Sequence, residues 1–487
     1  MRLPWDHLAK ILTISNFSGI IIKIIITNHE GKIFMKTTGL EIYNIKDRLI
    51  HAGQEHVLKY YDRLPLKQRE DLLSQISSID MSLVNELVAM GMAEKEPHPC
   101  LEPPCVISIQ DERQQQTKEA KEAKEAKKAK EKGEQALKDG RIACFVVAGG
   151  QSTRLGYNLP KGTFEVGPVT NKSLFQYHAE KIAAISNKYN TNIPWYIMTS
   201  KENDNQTRDF FKRHDFFRLQ TKDIIFFEQG MLPAVDFNGK LIMDSMVHIF
   251  MSPNGHGGSL SGLKESGALD DMKKRGIEEI FYFQIDNALV KIADPVFIGY
   301  HLLEKAEMST KVVSKIHPDE MVGVLGYING KLGVIEYTEL NDEERYAVNA
   351  DGSLRFKAGN TAIHMLNIEF VHRLVRDGFH LPYHGARKKI PYIDEHGKLQ
   401  KPHEPNGIKF ETFIFDALGY ARHSVVMEVN RREEFSPLKN ICGQDSPETV
   451  RHDLINLYAD WFKAAGLIKI KDCSIEISPL FAMDRDE

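Results

Sequence analysis

The sequence predicts an α/β protein built on a doubly wound, mostly parallel sheet, with a small helical region before it and a small region after it. Three observations carry that expectation. From Arg141 onward short apolar runs recur, IACFVVA, PWYIMT, DIIFFEQG and EEIFYFQID, and runs without polar alternation suit strands buried on both faces. Helical stretches at 174–186 and 205–214 separate them, which implies crossover connections, right-handed in parallel sheets. The length of 487 residues exceeds the usual single domain and leaves room for additions at both ends.

Taken in order, residues 1–34 form an extension ahead of a cleaner domain start at Met35. Its apolar stretch from Gly19 to Ile26 is too short to span a bilayer, is interrupted by Lys23, and has no small-residue cleavage site after it, so neither an anchor nor a secretion signal is expected. Residues 35–140 read as a helical region, because Val57, Tyr60, Tyr61 and Leu64, then Leu72, Leu73 and Ile76, recur at helical spacing. A loop with Pro97, Pro99, Pro103 and Pro104 leads to TKEAKEAKEAKKAKEKGEQALKDG, a run of helix formers with opposite charges side by side. No apolar heptad seam runs along it, so a solvated linker helix is expected. Residues 141–430 form the main domain, and after Arg431 the pattern weakens into a small C-terminal region, 431–487. No internal repeat is present.

Composition excludes several classes of function. Hydrophobic residues make up 42%, charged residues 27%, and the formal net charge is −4, an ordinary globular balance that favours neither nucleic acid nor a membrane as partner. The cysteines at 100, 105, 144, 442 and 473 are odd in number and scattered, with no C-x-x-C pair, so neither a disulfide framework nor a zinc site is expected and a reducing cytoplasm fits. Oligomeric state is not legible.

The most informative motif is AGGQSTRLGYNLPKG, from Ala148 to Gly162, directly after the first core run. Gly149 and Gly150 let backbone N–H groups approach a nucleotide without a side chain between, and Arg154 and Lys161 bring charge for its phosphates. A Gly-Gly after a strand can serve only to make a turn, but the added Thr-Arg and Pro-Lys point to phosphates. The spacing is neither a Walker loop nor a G-x-G-x-x-G turn, which sets aside a nicotinamide dehydrogenase. Asp286, at the end of FYFQID, stands where a parallel strand opens into the crevice used by such folds; a carboxylate there suits Mg²⁺, although an Asp-Asn at a strand end serves more often as a turn or helix cap.

Gly-Gly-x-x-Thr-Arg followed by Pro-Lys-Gly resembles the signature loop of nucleotidyl-sugar pyrophosphorylases. The match continues through FFEQGMLPA, GHGG, DNALVKIADP, GVIEYTE, AGNTAIH, PNGIKFETFIFDAL and SPLKN, covering about residues 140–440, and is most similar to the eukaryotic-type UDP-N-acetylglucosamine pyrophosphorylases of the UDPGP type 1 family. The resemblance implies a Rossmann-like nucleotide-diphospho-sugar transferase fold and transfer of a uridylyl group from UTP to a sugar 1-phosphate, assisted by Mg²⁺. It implies that Val147, Ala148, Gly149 and Gly150 lie against the nucleotide and that Lys161 and Lys409 contact its phosphates. Gln229 and Gly255 would address the uracil, and Asp286 the metal and nucleotide. His256, Glu336, Tyr337 and Asn360 would face the sugar, and Lys439 its phosphate, with Arg154, Lys161 and Lys439 serving catalysis.

Two departures matter. Ser152 stands where the family commonly has glycine, which would strain the backbone if that site needs a positive φ. His256 stands where the N-acetylglucosamine enzymes typically have asparagine and the glucose branch has histidine, so glucose 1-phosphate stays open as the substrate beside N-acetylglucosamine 1-phosphate. A non-catalytic nucleotide-sugar sensor is a further alternative, against which stand the retained charges of Arg154, Lys161, Asp286, Lys409 and Lys439.

Overall fold

The computed structural model describes residues 25–27, 33–35, 39–92, 100–108, 116–150, 152–376, 381–467 and 473–487. Two units emerge, each assembled from separated stretches of chain: one from residues 95–230, 253–383 and 411–487, the other from residues 1–94, 231–252 and 384–410. These cut across the boundaries expected at 34/35, 140/141 and 430/431, because residues far apart in sequence complete each unit.

The first unit carries the sheet. The four apolar runs become β1 (Ile142–Val147), β2 (Trp195–Thr199), β3 (Ile224–Glu228) and β4 (Glu279–Gln284), parallel and in the spatial order β3-β2-β1-β4. Past β4 lies the antiparallel β8 (Ala358–Asn367), then β5 (Met308–Ser314) and β9 (Ser424–Glu428), which resume the parallel direction. A hairpin of β6 (Val324–Ile328) and β7 (Lys331–Ile335) joins beside β8. One antiparallel strand in an otherwise parallel path is the mostly parallel arrangement expected.

The absence of polar alternation has its cause in two cores. Ile142, Cys144 and Val146 of β1 join Trp195, Ile197, Phe281 and Phe283 on one face, while Ala143 and Phe145 join Tyr196, Met198, Ile280 and Tyr282 on the other. Successive residues through the middle of these strands enter one apolar layer or the other. Because the chain leaves β1 toward β2 and β3 and then returns to its other side at β4, the order reverses between β1 and β4. Ligands of open α/β sheets bind outside the strand ends at such a point.

Helices α1 (Gln116–Lys138), α2 (Leu174–Tyr189), α3 (Asp204–Arg213), α4 (Pro295–Leu303) and α5 (Pro447–Ala464) belong to this unit. The expected solvated linker helix is corrected here. In α1 Ala129 and Ala136 are fully buried, a Cβ placed on Gly133 would lie 1.9 Å from the Pro295 carbonyl oxygen, and one on Gly299 would lie 1.7 Å from the Ala129 carbonyl oxygen. The helices α1 and α4 therefore meet backbone to backbone through small residues, a contact that leaves no apolar heptad to read.

The second unit holds the helices Gly39–His51, Leu66–Ser78 and Met81–Met92; Leu72, Leu73 and Ile76 are buried on the second of these, whereas Val57, Tyr60, Tyr61 and Leu64 are buried in and beside two short 3₁₀ turns, Glu55–Leu58 and Tyr61–Arg63, rather than on a continuous α-helix. Two glutamines act as surrogate backbone. Gln54 donates to the Gly239 oxygen at 2.8 Å and accepts from the Leu241 N–H at 2.9 Å, and Gln75 makes the same pair with Ile249, both at 2.8 Å. Of the N-terminal extension, Ile25–Thr27 pairs antiparallel with Ile33–Met35, and the rest of residues 1–34, including most of the apolar stretch, lies outside the described residues. Among the described residues no helix is long and apolar enough to cross a membrane.

Candidate active site

The loop after β1 leaves at the switch point. Ala148 N–H bonds the Met198 oxygen at 2.8 Å, and its own carbonyl accepts from Asn203 Nδ2 at 2.9 Å. A Cβ on Gly149 would stand 2.8 Å from Gln229 Oε1 and 3.3 Å from the Ser200 nitrogen, so this position requires glycine for space. The Ser152 hydroxyl donates to the Leu159 oxygen at 3.2 Å and draws the two ends of the loop together. That closure delivers Lys161 back toward the strand edge.

Lys161 Nζ lies 3.7 Å from Asp286 Oδ2, with both side chains largely but not wholly buried. Asp286 follows β4, and its carbonyl accepts from the Leu438 N–H at 2.9 Å, which brings the next residue, Lys439, to the same edge. The Lys439 N–H bonds the Asp445 oxygen at 2.7 Å. Burial holds the Asp445 carboxyl above its ordinary range, the nearby Asp286 charge adds to the rise, and Lys439 opposes it. The partly open Asp286 carboxylate, beside Lys161, is a donor that fits Mg²⁺, which takes one or two carboxylates with phosphate oxygens and water. Among the described residues no group of three histidine, cysteine or acidic side chains gathers into an all-protein metal cage.

Toward the other side, Gln229 follows β3, is buried, and donates from Nε2 to the Gly255 oxygen at 2.6 Å. Gly255 has φ 81°, and a Cβ there would stand 2.3 Å from the Thr412 oxygen. His256 opens the next turn: its Nδ1 accepts from the Ile414 N–H at 3.1 Å and its ring stacks on Phe413, centroids 5.2 Å apart. Glu336 and Asn360 flank Gly323. The Asn360 N–H bonds the Gly323 oxygen at 2.8 Å, and a Cβ on Gly323 would lie 3.4 Å from Glu336 Oε1. Tyr337 is exposed, with its carbonyl accepting from Arg345 at 3.4 Å.

Val147, Ala148, Gly149, Gly150, Lys161, Gln229, Gly255, His256, Asp286, Glu336, Asn360 and Lys439 thus all lie in the sheet unit. Arg154 lies there too, exposed in the turn Thr153–Leu155. Lys409 does not. It belongs to the second unit, where its ammonium sits 4.7 Å from the centroid of the Phe250 ring. The sequence reading missed Asn203, which braces the nucleotide loop, and Asp445, which sits beside Lys439. The run Gly-Gln-Asp-Ser-Pro at 443–447 signalled a turn there and nothing about charge.

Residues 91–465 match the family described as UTP–glucose-1-phosphate uridylyltransferase. A mouse protein named UDP-N-acetylhexosamine pyrophosphorylase-like protein 1 is 38% identical, with 87% of this chain and 86% of that protein covered. The UDP-N-acetylglucosamine pyrophosphorylase of Saccharomyces cerevisiae is 37% identical, with 89% and 94% covered. Among solved structures, the uridine diphosphate N-acetylglucosamine pyrophosphorylase from Trypanosoma brucei superposes with TM-score 0.76 at 29% identity, covering 93% of this chain and 94% of that one. With a family match spanning most of its length and relatives this similar along nearly the whole chain, the protein belongs to the UTP–glucose-1-phosphate uridylyltransferase family of UDP-sugar pyrophosphorylases.

Proposed function

We propose that the protein makes UDP-N-acetylglucosamine and pyrophosphate from UTP and N-acetylglucosamine 1-phosphate. The observation that carries the reading is the grouping of Asp286 between Lys161, at 3.7 Å, and the segment of Lys439, beside a glycine loop at the switch point. The names of the yeast and trypanosome relatives support the N-acetylated sugar. The reaction is an in-line displacement: an oxygen of the sugar phosphate forms a bond to the α-phosphorus of UTP, the bond from that phosphorus to the α–β bridging oxygen breaks, and pyrophosphate leaves. The nucleophile is already ionised near neutral pH, so no general base is assigned. Lys161 and Arg154 hold the leaving phosphates, and Lys439 orients the sugar phosphate. Mg²⁺, held by Asp286, would supply charge neutralisation on the phosphates. Gln229, its amide nitrogen committed to Gly255, presents its oxygen to the uracil. Five free cysteines favour a reducing cytoplasm as the site of action.

Glucose 1-phosphate is the second reading, favoured by His256 and by the family's own description. A pyrophosphate-release assay over a panel of nucleotides and sugar phosphates tests both, with Asp286→Asn as the control that removes charge while keeping shape. The expected result is highest kcat/KM with UTP and N-acetylglucosamine 1-phosphate, loss of at least about a hundredfold in Asp286→Asn, and an unchanged melting temperature. Near-normal turnover in Asp286→Asn would refute the assignment of that carboxylate.

A further inference from the structure

The sheet unit buries an ion cluster that has no part in the chemistry described above. Lys311, on β5, is wholly excluded from solvent, and its ammonium donates to Asp294 Oδ2 at 2.8 Å and to Glu434 Oε2 at 2.5 Å. Such clusters are a poor route to stability, since apolar groups of the same volume often do as well or better. What distinguishes this one is the chain it joins. Asp294 closes the loop that opens at Asp286 and caps α4, accepting from the Val296 N–H at 3.0 Å. Glu434 starts the segment that reaches Lys439.

Between these ends the two segments are zipped together. Asn287 Nδ2 donates to the Glu434 carbonyl at 2.7 Å, Asn287 Oδ1 accepts from the Ser436 N–H at 3.0 Å, and the Asp286 carbonyl accepts from the Leu438 N–H at 2.9 Å. From α2, Lys181 Nζ holds the same loop through the Ala288 and Val290 oxygens, at 2.7 and 2.9 Å. The ladder has Lys311 at its buried end and Asp286 with Lys439 at its open end.

We propose that Lys311 is a positioning residue for uridylyl transfer: by bridging Asp294 and Glu434 it sets the spacing between the loop of Asp286 and the segment of Lys439, and so the approach of the sugar phosphate to the nucleotide. The inference rests on the roles given above to Asp286 and Lys439. A shift of about 1 Å at a reacting group can cost on the order of a hundredfold in rate, so a spacer of this kind has leverage.

The test is a double-mutant cycle in kcat/KM for the sugar phosphate, using wild type, Lys311→Met, Lys439→Ala and the pair, with melting temperatures recorded for each. If Lys311 acts through Lys439, Lys311→Met costs about tenfold or more in the wild-type background and less than about twofold in Lys439→Ala, while its effect on melting temperature is the same in both. Equal losses of activity in both backgrounds would overturn the inference and leave Lys311 a structural residue. Full activity in Lys439→Ala alone would overturn the reading of Lys439 itself, a separate result. Should Lys311→Met fail to fold, the charge-free set Asp294→Asn, Lys311→Met, Glu434→Gln takes its place in the cycle, and wild-type kcat/KM in that variant would likewise overturn the inference.

Discussion

At the scale of single residues, His256 is the position that sets the two candidate sugars against each other. Its Nδ1 accepts from the Ile414 N–H, so a neutral ring carries its proton on Nε2 and offers a donor there, as an asparagine amide would, though from a bulkier ring stacked on Phe413. Because donor character is retained, wild type is expected to prefer N-acetylglucosamine 1-phosphate over glucose 1-phosphate, and His256→Asn to keep that order with less than about a tenfold loss in kcat/KM. A wild-type preference for glucose that His256→Asn reverses would show the opposite. Other residues show what sequence could and could not tell. Asp286 was legible because a strand end in a parallel sheet has a known outlook. The part Ser152 plays was not legible, because a motif letter does not report that its hydroxyl closes the loop onto the Leu159 carbonyl. Asn203 was invisible because its partner, the Ala148 carbonyl, is distant in sequence, and Asp445 because the turn that hands its carbonyl to the Lys439 and Asn440 N–H groups leaves no mark in the residue types.

At the scale of elements, the strands were legible, and so was the first long helix, but its burial was not. Strands buried on both faces write themselves as apolar runs, whereas α1 buries itself through alanine and glycine, residues that look the same in a solvated helix. The contact between α1 and α4 makes an unusual prediction. Gly→Ala inside a helix normally stabilises by about 1 kcal/mol, yet Gly133→Ala would drive a methyl into the Pro295 carbonyl and is expected to destabilise by about 1–3 kcal/mol. Alanine at the exposed Lys130 is the matched control and should leave stability nearly unchanged. Denaturant titration of both variants measures the difference. Equal, near-zero effects would mean the helices part without cost.

At the scale of the molecule, two neutral histidines set the acid limit. Burial lowers the pKa of His178 and of His364 to about 3, with the Lys181 charge adding for the first and His256 for the second. Unfolding releases each ring to its ordinary value near 6.5, so between pH 6.5 and 3 the unfolded chain binds more protons and stability falls as pH falls. Neither ring nitrogen of His364 has a hydrogen-bond partner among the described residues, so His364→Phe removes the titration at little cost in bonding. Its melting temperature is expected to drop less than that of wild type between pH 6.5 and 4, and parallel curves would place the acid sensitivity elsewhere.

The unit formed by residues 1–94, 231–252 and 384–410 is woven from three passes of the chain. Gln54 and Gln75 bind backbone from the second pass, and the Tyr60 hydroxyl donates to the Asp394 carbonyl of the third at 2.9 Å. Weaving of this sort makes covalent continuity dispensable at the first crossing. Residues 1–94 and 95–487, co-expressed as two polypeptides, are expected to reassemble and co-purify, since Gln54, Gln75 and Tyr60 of the first fragment find these partners in the second. The larger fragment alone would expose the surfaces that Val57, Leu72 and Ile76 cover and should aggregate. Light scattering and pull-down of the split protein measure both outcomes, and a well-behaved monodisperse 95–487 fragment would show that the woven unit is an ornament the rest of the chain does without.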